Sequence, residues 1–240
     1  MTPPVLILQT GQPVASMRRH GGFPHWIRVA AGLSPDEAVV VDVAGGAPLP
    51  RRDGFGAAII TGSAAMVTDR ADWSEATADW LREAVPAGLP VLGICYGHQL
   101  LAHALGGVVQ DHPDGREMGT VEVSLLADAA HDPLFGGLPA TFAAQATHVQ
   151  TVSRLPDGAT VLARSVHDAC HAFRVGDAAW GVQFHPEFSA THMRGYVRAR
   201  RGALHAEGTC PETLVGQIRA TPQARRVLRR FVHHVTGGVR

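Results

Sequence analysis

Cysteine, net charge and long apolar runs are all scarce in this sequence. It has three cysteines, Cys95, Cys170 and Cys210, and a count that is both low and odd does not suggest a disulfide framework. Because 21 basic residues balance 21 acidic ones, no overall attraction to nucleic acid is expected. No apolar run approaches the roughly 20 residues that span a bilayer, and the first run is too short for a signal peptide. We therefore predict a cytoplasmic protein that binds neither membranes nor nucleic acid.

The rest of the composition is typical of a protein with a full hydrophobic core. The chain has 240 residues, of which 45% are hydrophobic and 18% are charged. No internal repeat or low-complexity segment interrupts it. We predict a single domain over residues 1–240, with a core at about 5–190 and a helical extension at about 191–240.

Short apolar runs alternate with helical patterns in the first half of the chain. Gly and Pro mark the ends of several of these segments. We predict strands over 5–8, 38–43, 57–60 and 90–94, and helices over 16–31, 72–85 and 98–105, the first interrupted near Gly21. Alternation of strand and helix favours a parallel, doubly wound sheet.

The second half contains more strands, separated by Pro-Asp-Gly and Gly-Asp turns. We predict strands over 120–125, 141–146, 160–163, 169–175 and 179–184, followed by a helical tail over 191–235. The predicted fold class is therefore α/β, with three layers. A mostly parallel central sheet is flanked by helices, with a small antiparallel section and C-terminal helices.

Cys95 lies on a Gly-x-Cys-x-Gly turn. An apolar run leads directly into Gly93, and a helical pattern follows Gly97. Strand, turn and helix in this order resemble a nucleophile elbow, in which a sharp turn holds the reactive side chain at a helix N-terminus. The helix dipole and the free N–H groups at that end stabilise a thiolate. A buried structural cysteine after a strand is the alternative interpretation.

A second motif, Phe-His-Pro-Glu at 184–187, follows a strand-like run about 90 residues later. The imidazole of His185 can act as general base and general acid, and the carboxylate of Glu187 can orient it. A thiol, an imidazole and a carboxylate are the three parts of a cysteine-nucleophile active site. We predict Cys95, His185 and Glu187 as the catalytic residues.

These motifs resemble those of the class I, triad-type glutamine amidotransferases. They are similar in particular to the glutaminase part of GMP synthase and to its free-standing relatives. The resemblance covers about residues 5–190 and is carried by 93–99, the helix that follows, and 181–187. It implies a flavodoxin-like fold and attack of Cys95 on the side-chain amide of glutamine. His185 would then supply a proton to the departing ammonia, and Glu187 would hold His185 in the right tautomer.

The resemblance also implies an oxyanion hole made of backbone N–H groups. One donor would be Tyr96, which follows the nucleophile. The other would come from the loop that contains Gly62 and Ser63. Ser63 stands where the family often has the second Gly of a Gly-Gly-Pro motif, and no Pro follows it. The loop therefore departs from the family pattern.

Two substrate-binding residues follow from the same resemblance. Gln99 would line the glutamine pocket. His148 matches a His-x-Asp-x-Val segment near the substrate site of these relatives, although Gln150 replaces the Asp here. A helix-surface Gln99 and a His148 without a role are the alternatives. The spacing of His, Cys and Asp makes no zinc site, so we predict no metal and no cofactor.

The leading hypothesis is a glutamine amidotransferase that hydrolyses L-glutamine to glutamate and ammonia. The sequence has no Ser-Gly-Gly-x-Asp-Ser loop of an ATP pyrophosphatase, so a separate synthetase subunit would accept the ammonia. A free-standing γ-glutamyl hydrolase or peptidase is the first alternative, because only the leaving amine would differ. A non-catalytic regulatory module on the same fold is the second.

Overall fold

A nine-stranded sheet runs through the middle of the computed structural model, which describes residues 3–237. The outermost positions of the predicted 1–240 domain lie outside the described residues. In chain order the strands are β1 (Val5–Gln9), β2 (Ala38–Asp42), β3 (Ala57–Ile60), β4 (Val91–Ile94), β5 (Val108–Asp111), β6 (Glu117–Leu125), β7 (Thr141–His148), β8 (Gln150–Arg154), β9 (Ala159–Arg164), β10 (Ala172–Val175) and β11 (Ala179–Val182).

Helices cover both faces of the sheet. They are α1 (Phe23–Ala31), α2 (Asp72–Ala84), α3 (Tyr96–Ala104), α4 (Ala190–Ala199), α5 (Arg201–Ala206), α6 (Pro211–Gln217) and α7 (Pro222–Val235). No helix between residues 3 and 237 is long and apolar enough to cross a membrane.

The main sheet has the order β2-β1-β3-β4-β11-β10-β9-β6-β7. The first five strands are parallel, and the remaining four continue the sheet in antiparallel pairs. Strands β5 and β8 form a separate antiparallel ribbon. The predicted three-layer α/β fold with a mostly parallel central sheet is confirmed. The antiparallel section is larger than the small one predicted, since it has four strands of the main sheet and the separate ribbon.

The apolar run of β1 shows why the parallel strands are uniformly hydrophobic. Successive side chains of a strand point to opposite faces of the sheet. Leu6 and Leu8 therefore pack against α2 and α3, whereas Ile7 packs against α1 and α7. All three side chains are fully buried, because helices cover both faces.

Several predicted boundaries differ from the structure. Helix α3 begins at Tyr96 rather than at residue 98, because the turn at Cys95 is tighter than the sequence pattern suggested. The ribbon strands β5 and β8 were not predicted, since β5 is short and largely exposed and β8 ends in polar residues. The predicted interruption near Gly21 is present: Gly21 has φ +95 and separates a short 3₁₀ turn from α1.

The C-terminal helices pack back onto the rest of the molecule. Helix α7 buries Val227, Leu228 and Phe231, which follow the spacing of one helix face and join the core beside Trp180. Helices α4, α5 and α6 instead form a smaller apolar cluster with α1 and Phe188. This second group therefore lies beside the segment that follows β11.

The turn from β4 to α3 depends on two glycines. A Cβ at Gly93 would lie 2.3 Å from the Gly97 carbonyl oxygen, and a Cβ at Gly97 would lie 2.5 Å from the Ile60 carbonyl oxygen. Neither distance is sterically possible without moving backbone. Between the two glycines, Cys95 takes φ +52 and ψ −100, a left-handed conformation that L-residues rarely adopt. The motif thus lets α3 begin directly against strand β3.

We expect Gly97→Ala to lower the free energy of unfolding by at least about 2 kcal/mol, because helix α3 or strand β3 must move to admit the new methyl group. Urea unfolding measures this change. Gly216→Ala is the matched control: it lies on α6, where an added Cβ meets no described heavy atom within 4 Å. Its stability should stay the same or rise slightly with helix propensity. Equal losses in both variants would contradict the close-packing argument.

Candidate active site

Cys95 lies at the carboxyl end of β4 and at the N-terminus of α3. Its backbone N–H donates to the Val182 carbonyl oxygen at 2.8 Å, which ties the turn to the neighbouring strand β11. The side chain is only 5% exposed, and its thiol lies 3.8 Å from the Thr147 carbonyl oxygen. The α3 dipole and the free N–H groups of its first turn favour a thiolate at this position.

His185 and Glu187 follow β11, the strand that pairs with β4. The His185 Nδ1–H donates to Glu187 Oε1 at 2.8 Å, and the His185 backbone N–H donates to the Gln145 carbonyl oxygen at 2.8 Å. Phe188 stacks on the imidazole with ring centroids 4.1 Å apart. Within residues 3–237 the Nε2 atom of His185 has no hydrogen-bond partner in its buried position. The imidazole is therefore fixed on one side and available to the thiol on the other.

The charges of this group favour a thiolate and an imidazolium. Burial alone would raise the pKa of Cys95, but the neighbouring His185 and the cationic His148 outweigh it and lower that pKa. Burial alone would lower the pKa of His185, but the charges of Glu187 and Cys95 outweigh it and raise that pKa. Each partner thus stabilises the charged form of the other.

The loop after β3 brings backbone N–H groups to the same place. A Cβ at Gly62 would lie 2.9 Å from His185 Cε1 and 3.8 Å from Cys95 Cβ, so only glycine fits between them. The Gly62 carbonyl oxygen points toward Thr10: it accepts from the Thr61 hydroxyl at 3.0 Å and lies 3.2 Å from the Thr10 hydroxyl. In a trans peptide the next N–H points the opposite way, so the N–H of Ser63 is directed away from Thr10.

The N–H groups of Ser63 and Tyr96 accordingly remain available. Neither donates a hydrogen bond to an acceptor among the described residues. Ser63 and Tyr96 line the same cleft as Cys95. This arrangement provides two backbone donors of the kind that stabilise an oxyanion. Sequence reasoning missed Thr10, whose only signal was its position directly after β1.

The cleft contains about 470 Å³ of empty space, part of it open to solvent, and Gln99 and His148 line it as well. The Gln99 side-chain amide donates to the Gln150 carbonyl oxygen and to Gln183 Oε1, each at 2.9 Å. Gln99 therefore connects α3 to β8 and to the residue that follows β11. Only its carbonyl oxygen is left to face a ligand.

His148 has both ring nitrogens occupied by protein acceptors. Its Nε2 lies 2.8 Å from Glu117 Oε2, and its Nδ1 lies 2.9 Å from the Gln150 carbonyl oxygen. Since a carboxylate and a carbonyl can only accept, both nitrogens must donate, and the ring is an imidazolium. Burial opposes this charge, but the hydrogen bond to Glu117 raises the pKa of His148 overall. In this structure His148 contributes positive charge to the wall behind Cys95.

Glu117 joins a second imidazole to this group. Its Oε2 atom lies 2.6 Å from His171 Nε2 and 2.8 Å from His148 Nε2, and its Oε1 atom accepts from the Ser165 hydroxyl at 2.6 Å. These hydrogen bonds outweigh burial and lower the pKa of Glu117. Sequence reasoning missed the cluster, because its members are 31 and 54 residues apart.

Glu117, His148 and His171 also have the donor types of a metal site, with ligand atoms within 4.8 Å of one another. In this geometry, however, each Nε2 donates a proton to the same carboxylate oxygen. A metal ion would have to displace both hydrogen bonds. The prediction that the protein uses no metal therefore remains a prediction.

We expect Glu117→Gln to lower the free energy of unfolding by about 3 kcal/mol near pH 6, because it leaves the buried charge of His148 without its partner. A carboxyl whose pKa is lowered by folding stabilises the folded state at pH values above its unfolded pKa, near 4.3. An imidazole whose pKa is raised by folding stabilises the folded state at pH values below its unfolded pKa, near 6.5. The loss should therefore shrink as the pH falls through the folded pKa of Glu117 or rises through that of His148.

Urea unfolding at several pH values measures the effect. Glu122→Gln is the matched control, because Glu122 is exposed on the same strand, β6. If Glu117→Gln is no less stable than this control at pH 6, the buried ion pair does not exist.

Comparison with known proteins gives the family. The pattern of the family described as "Glutamine amidotransferase class-I" matches residues 52–200. The GMP synthase [glutamine-hydrolyzing] of Thermomicrobium roseum is 44% identical over 132 residues, which are 55% of this chain and 23% of that protein. A GMP synthase [glutamine-hydrolyzing] subunit of Halobacterium salinarum is 38% identical over 113 residues, 46% of this chain and 59% of that one.

Solved structures share the fold along almost the whole chain. A glutamine amidotransferase from Thermotoga maritima has a TM-score of 0.76 at 21% identity, covering 98% of this chain and 99% of that one. Another from Methylobacillus flagellatus has a TM-score of 0.76 at 24% identity, covering 97% and 95%. The aligned part is only about a quarter of the Thermomicrobium relative, so only the shared region is comparable. Since the family pattern covers more than half of the residues, this chain belongs to the class-I glutamine amidotransferase family.

Proposed function

We propose that this protein hydrolyses the side-chain amide of L-glutamine through a thioester on Cys95. The observation that supports it most is the Cys95 thiol on its strained turn, beside an imidazole that Glu187 holds at 2.8 Å. This is the arrangement of an activated cysteine nucleophile with a general acid and base. We propose Cys95, His185 and Glu187 as its catalytic residues.

The first half-reaction forms the thioester. The Cys95 thiolate attacks the γ-carbonyl carbon of glutamine, and the electron pair of the C=O bond moves onto oxygen. The N–H groups of Ser63 and Tyr96 stabilise this oxyanion. The tetrahedral intermediate then collapses, the C–N bond breaks, and the imidazolium of His185 gives its Nε2 proton to the leaving nitrogen. Ammonia departs, and the glutamyl group stays on sulfur.

The second half-reaction regenerates the thiolate. The neutral imidazole of His185 takes a proton from water, and the hydroxide that forms attacks the thioester carbon. Collapse of the second intermediate breaks the C–S bond and releases glutamate. His185 is again an imidazolium and Cys95 a thiolate. The new γ-carboxyl group passes its proton to ammonia in solution, so the sum is glutamine plus water giving glutamate plus ammonium. Glu187 stabilises the imidazolium of His185 before the first half-reaction and after the second.

A γ-glutamyl peptide would present the same acyl carbon to Cys95, so a γ-glutamyl hydrolase or peptidase activity is the alternative to ammonia production. For the ammonia-producing reaction, the Halobacterium relative is named as one subunit of a GMP synthase, which supports a separate synthetase subunit in the role of acceptor.

Turnover of L-glutamine and of a γ-glutamyl dipeptide by the purified protein tests the proposal. We expect Cys95→Ala to lower kcat/KM by about 10⁵-fold or more, because it removes the nucleophile. The loss of kcat/KM in Glu187→Ala should be about 10 to 100 times smaller than the loss in Cys95→Ala, because Glu187 only orients and stabilises His185. Cys210→Ala, which removes an exposed thiol, is the control and should stay fully active. If neither compound is turned over, or if Cys95→Ala remains active, the proposed function is wrong.

The alkylation rate of Cys95 by iodoacetamide tests its ionisation separately. A free cysteine loses reactivity as the pH falls below its pKa of about 8.5. Because the pKa of Cys95 is lowered, we expect its reactivity to persist at lower pH and to fall only when the thiolate is protonated. Glu187→Gln removes a negative charge that by itself raises the pKa of Cys95, but it also weakens the imidazolium of His185, which is the larger influence. We therefore expect the transition to move to higher pH.

Peptide mass spectrometry distinguishes Cys95 from the exposed Cys210 in this experiment. Glu122→Gln, the exposed carboxylate on β6, is the control and should leave the transition unchanged. A transition at or above about pH 8.5 in the unmodified protein would show that the thiol is not activated.

A further inference from the structure

Arg200 brings a positive charge to the cleft from outside the catalytic motifs. It lies between α4 and α5, in the helical segment that follows Glu187, and lines the same cleft as Cys95, Gln99 and His148. The Cys95 charge acts on its guanidinium electrostatically. Because the Arg200 guanidinium lines this cleft from a separate segment of the chain, it is positioned to contact a part of the substrate that does not react.

Arg200 forms no ion pair with an acidic side chain among residues 3–237. The neighbouring Glu207 is occupied by Arg116, whose Nε and Nη2 atoms lie 3.0 and 3.1 Å from its two carboxylate oxygens. Arg200 itself makes no side-chain hydrogen bond or ion pair with any residue between 3 and 237. The guanidinium carbon lies 5.8 Å from the centre of the Tyr196 ring, a cation–π contact.

A guanidinium as buried as that of Arg200 normally has a hydrogen-bond or ion-pair partner. Arg200 is half-buried, and its Nε atom is inaccessible to solvent and without an acceptor. A buried donor or cation without a partner costs free energy, and proteins normally satisfy it. Burial, together with repulsion from Arg116, lowers the pKa of Arg200. The two Nη atoms are not among the inaccessible ones and have no protein acceptor between residues 3 and 237, so an anion in the cleft can accept from them.

We propose that Arg200 binds a carboxylate of the substrate and selects γ-glutamyl compounds that carry one. The inference rests on the proposed function. The planar guanidinium suits a carboxylate because it can donate two parallel N–H bonds to the two oxygens. The carboxylate has two possible sources: the α-carboxylate of the glutamyl group itself, or a carboxylate on the amine side of a γ-glutamyl dipeptide. Arg200 is thus a specificity-determining residue that takes no part in proton transfer.

Kinetics with four substrates separates these sources. They are L-glutamine, L-glutamine with its α-carboxylate blocked as an amide, a γ-glutamyl dipeptide with a free C-terminal carboxylate, and the same dipeptide amidated at that carboxylate. Arg200→Gln should raise KM about 10- to 100-fold only for substrates that carry the recognised carboxylate, with little change in kcat. Arg200→Lys keeps the charge but not the planar fork, so it should recover part of the loss.

The pattern of losses identifies the carboxylate. If Arg200→Gln affects unblocked glutamine and both dipeptides, but not the α-amide, the α-carboxylate is bound. If it affects only the dipeptide with a free C-terminus, the amine-side carboxylate is bound. Arg198→Gln is the matched control, because Arg198 is an exposed arginine near the end of α4 that does not line the cleft. If Arg200→Gln and Arg198→Gln behave alike on all four substrates, the proposal is wrong although the proposed function stands.

A binding measurement keeps the inference testable if nothing is hydrolysed. Calorimetry on Cys95→Ala and on Cys95→Ala/Arg200→Gln gives the Kd for L-glutamine and for the free dipeptide without turnover. If the Kd for either compound rises at least about tenfold on loss of Arg200 but neither compound is hydrolysed by the unmodified protein, the carboxylate site is supported and the proposed reaction is wrong. If Arg200 does not change either Kd, or neither compound binds, the carboxylate site is overturned too.

Discussion

The close approach of helix α3 to strand β3 is the constraint on which the site depends. Gly97 lies against the Ile60 carbonyl, and Gly93 lies against the Gly97 carbonyl, so α3 starts within two residues of the end of β4. Cys95 has no room to relax and is held at φ +52. This turn places its thiol at the N-terminus of α3, beside the free N–H groups of the first helical turn. The stability of the surrounding parallel sheet maintains this conformation.

Two imidazoles, each held by a buried carboxylate, surround the thiol from different parts of the chain. Glu187 holds His185 at 2.8 Å, and Glu117 holds His148 at 2.8 Å. The first pair combines charge with a free Nε2 that can move a proton. The second pair uses both nitrogens for hydrogen bonds, so it supplies charge only. Gln150, which stands where the family has Asp, still contributes hydrogen bonds beside His148. Its backbone carbonyl oxygen accepts from His148, and its side-chain amide donates to Asp111.

Most of the sheet could be predicted from the sequence, and the reason is visible in β1, β3 and β4. Strands covered on both faces must be continuously apolar, and such runs stand out between Gly and Pro residues. The ribbon of β5 and β8 could not be predicted in this way, because β5 is largely exposed and β8 is mostly polar in sequence, so neither is a continuous apolar run. The start of α3 was misplaced for another reason: the left-handed turn depends on contacts with β3, which lies more than 30 residues earlier in the chain.

The sequence by itself determined the reactive turn and the His-Glu pair, because both are local. Gly93 and Gly97 flank Cys95 within two residues, and Glu187 reaches His185 from two residues away, so short spacing almost fixes the geometry. Only the tertiary structure decided what surrounds them. Thr10 aligns the Gly62 loop, Glu117 charges His148, and Arg200 enters from the C-terminal helices. These contacts join residues that are 31 to more than 100 positions apart, and no local pattern specifies them, because they arise from how the sheet edge and the covering helices pack together.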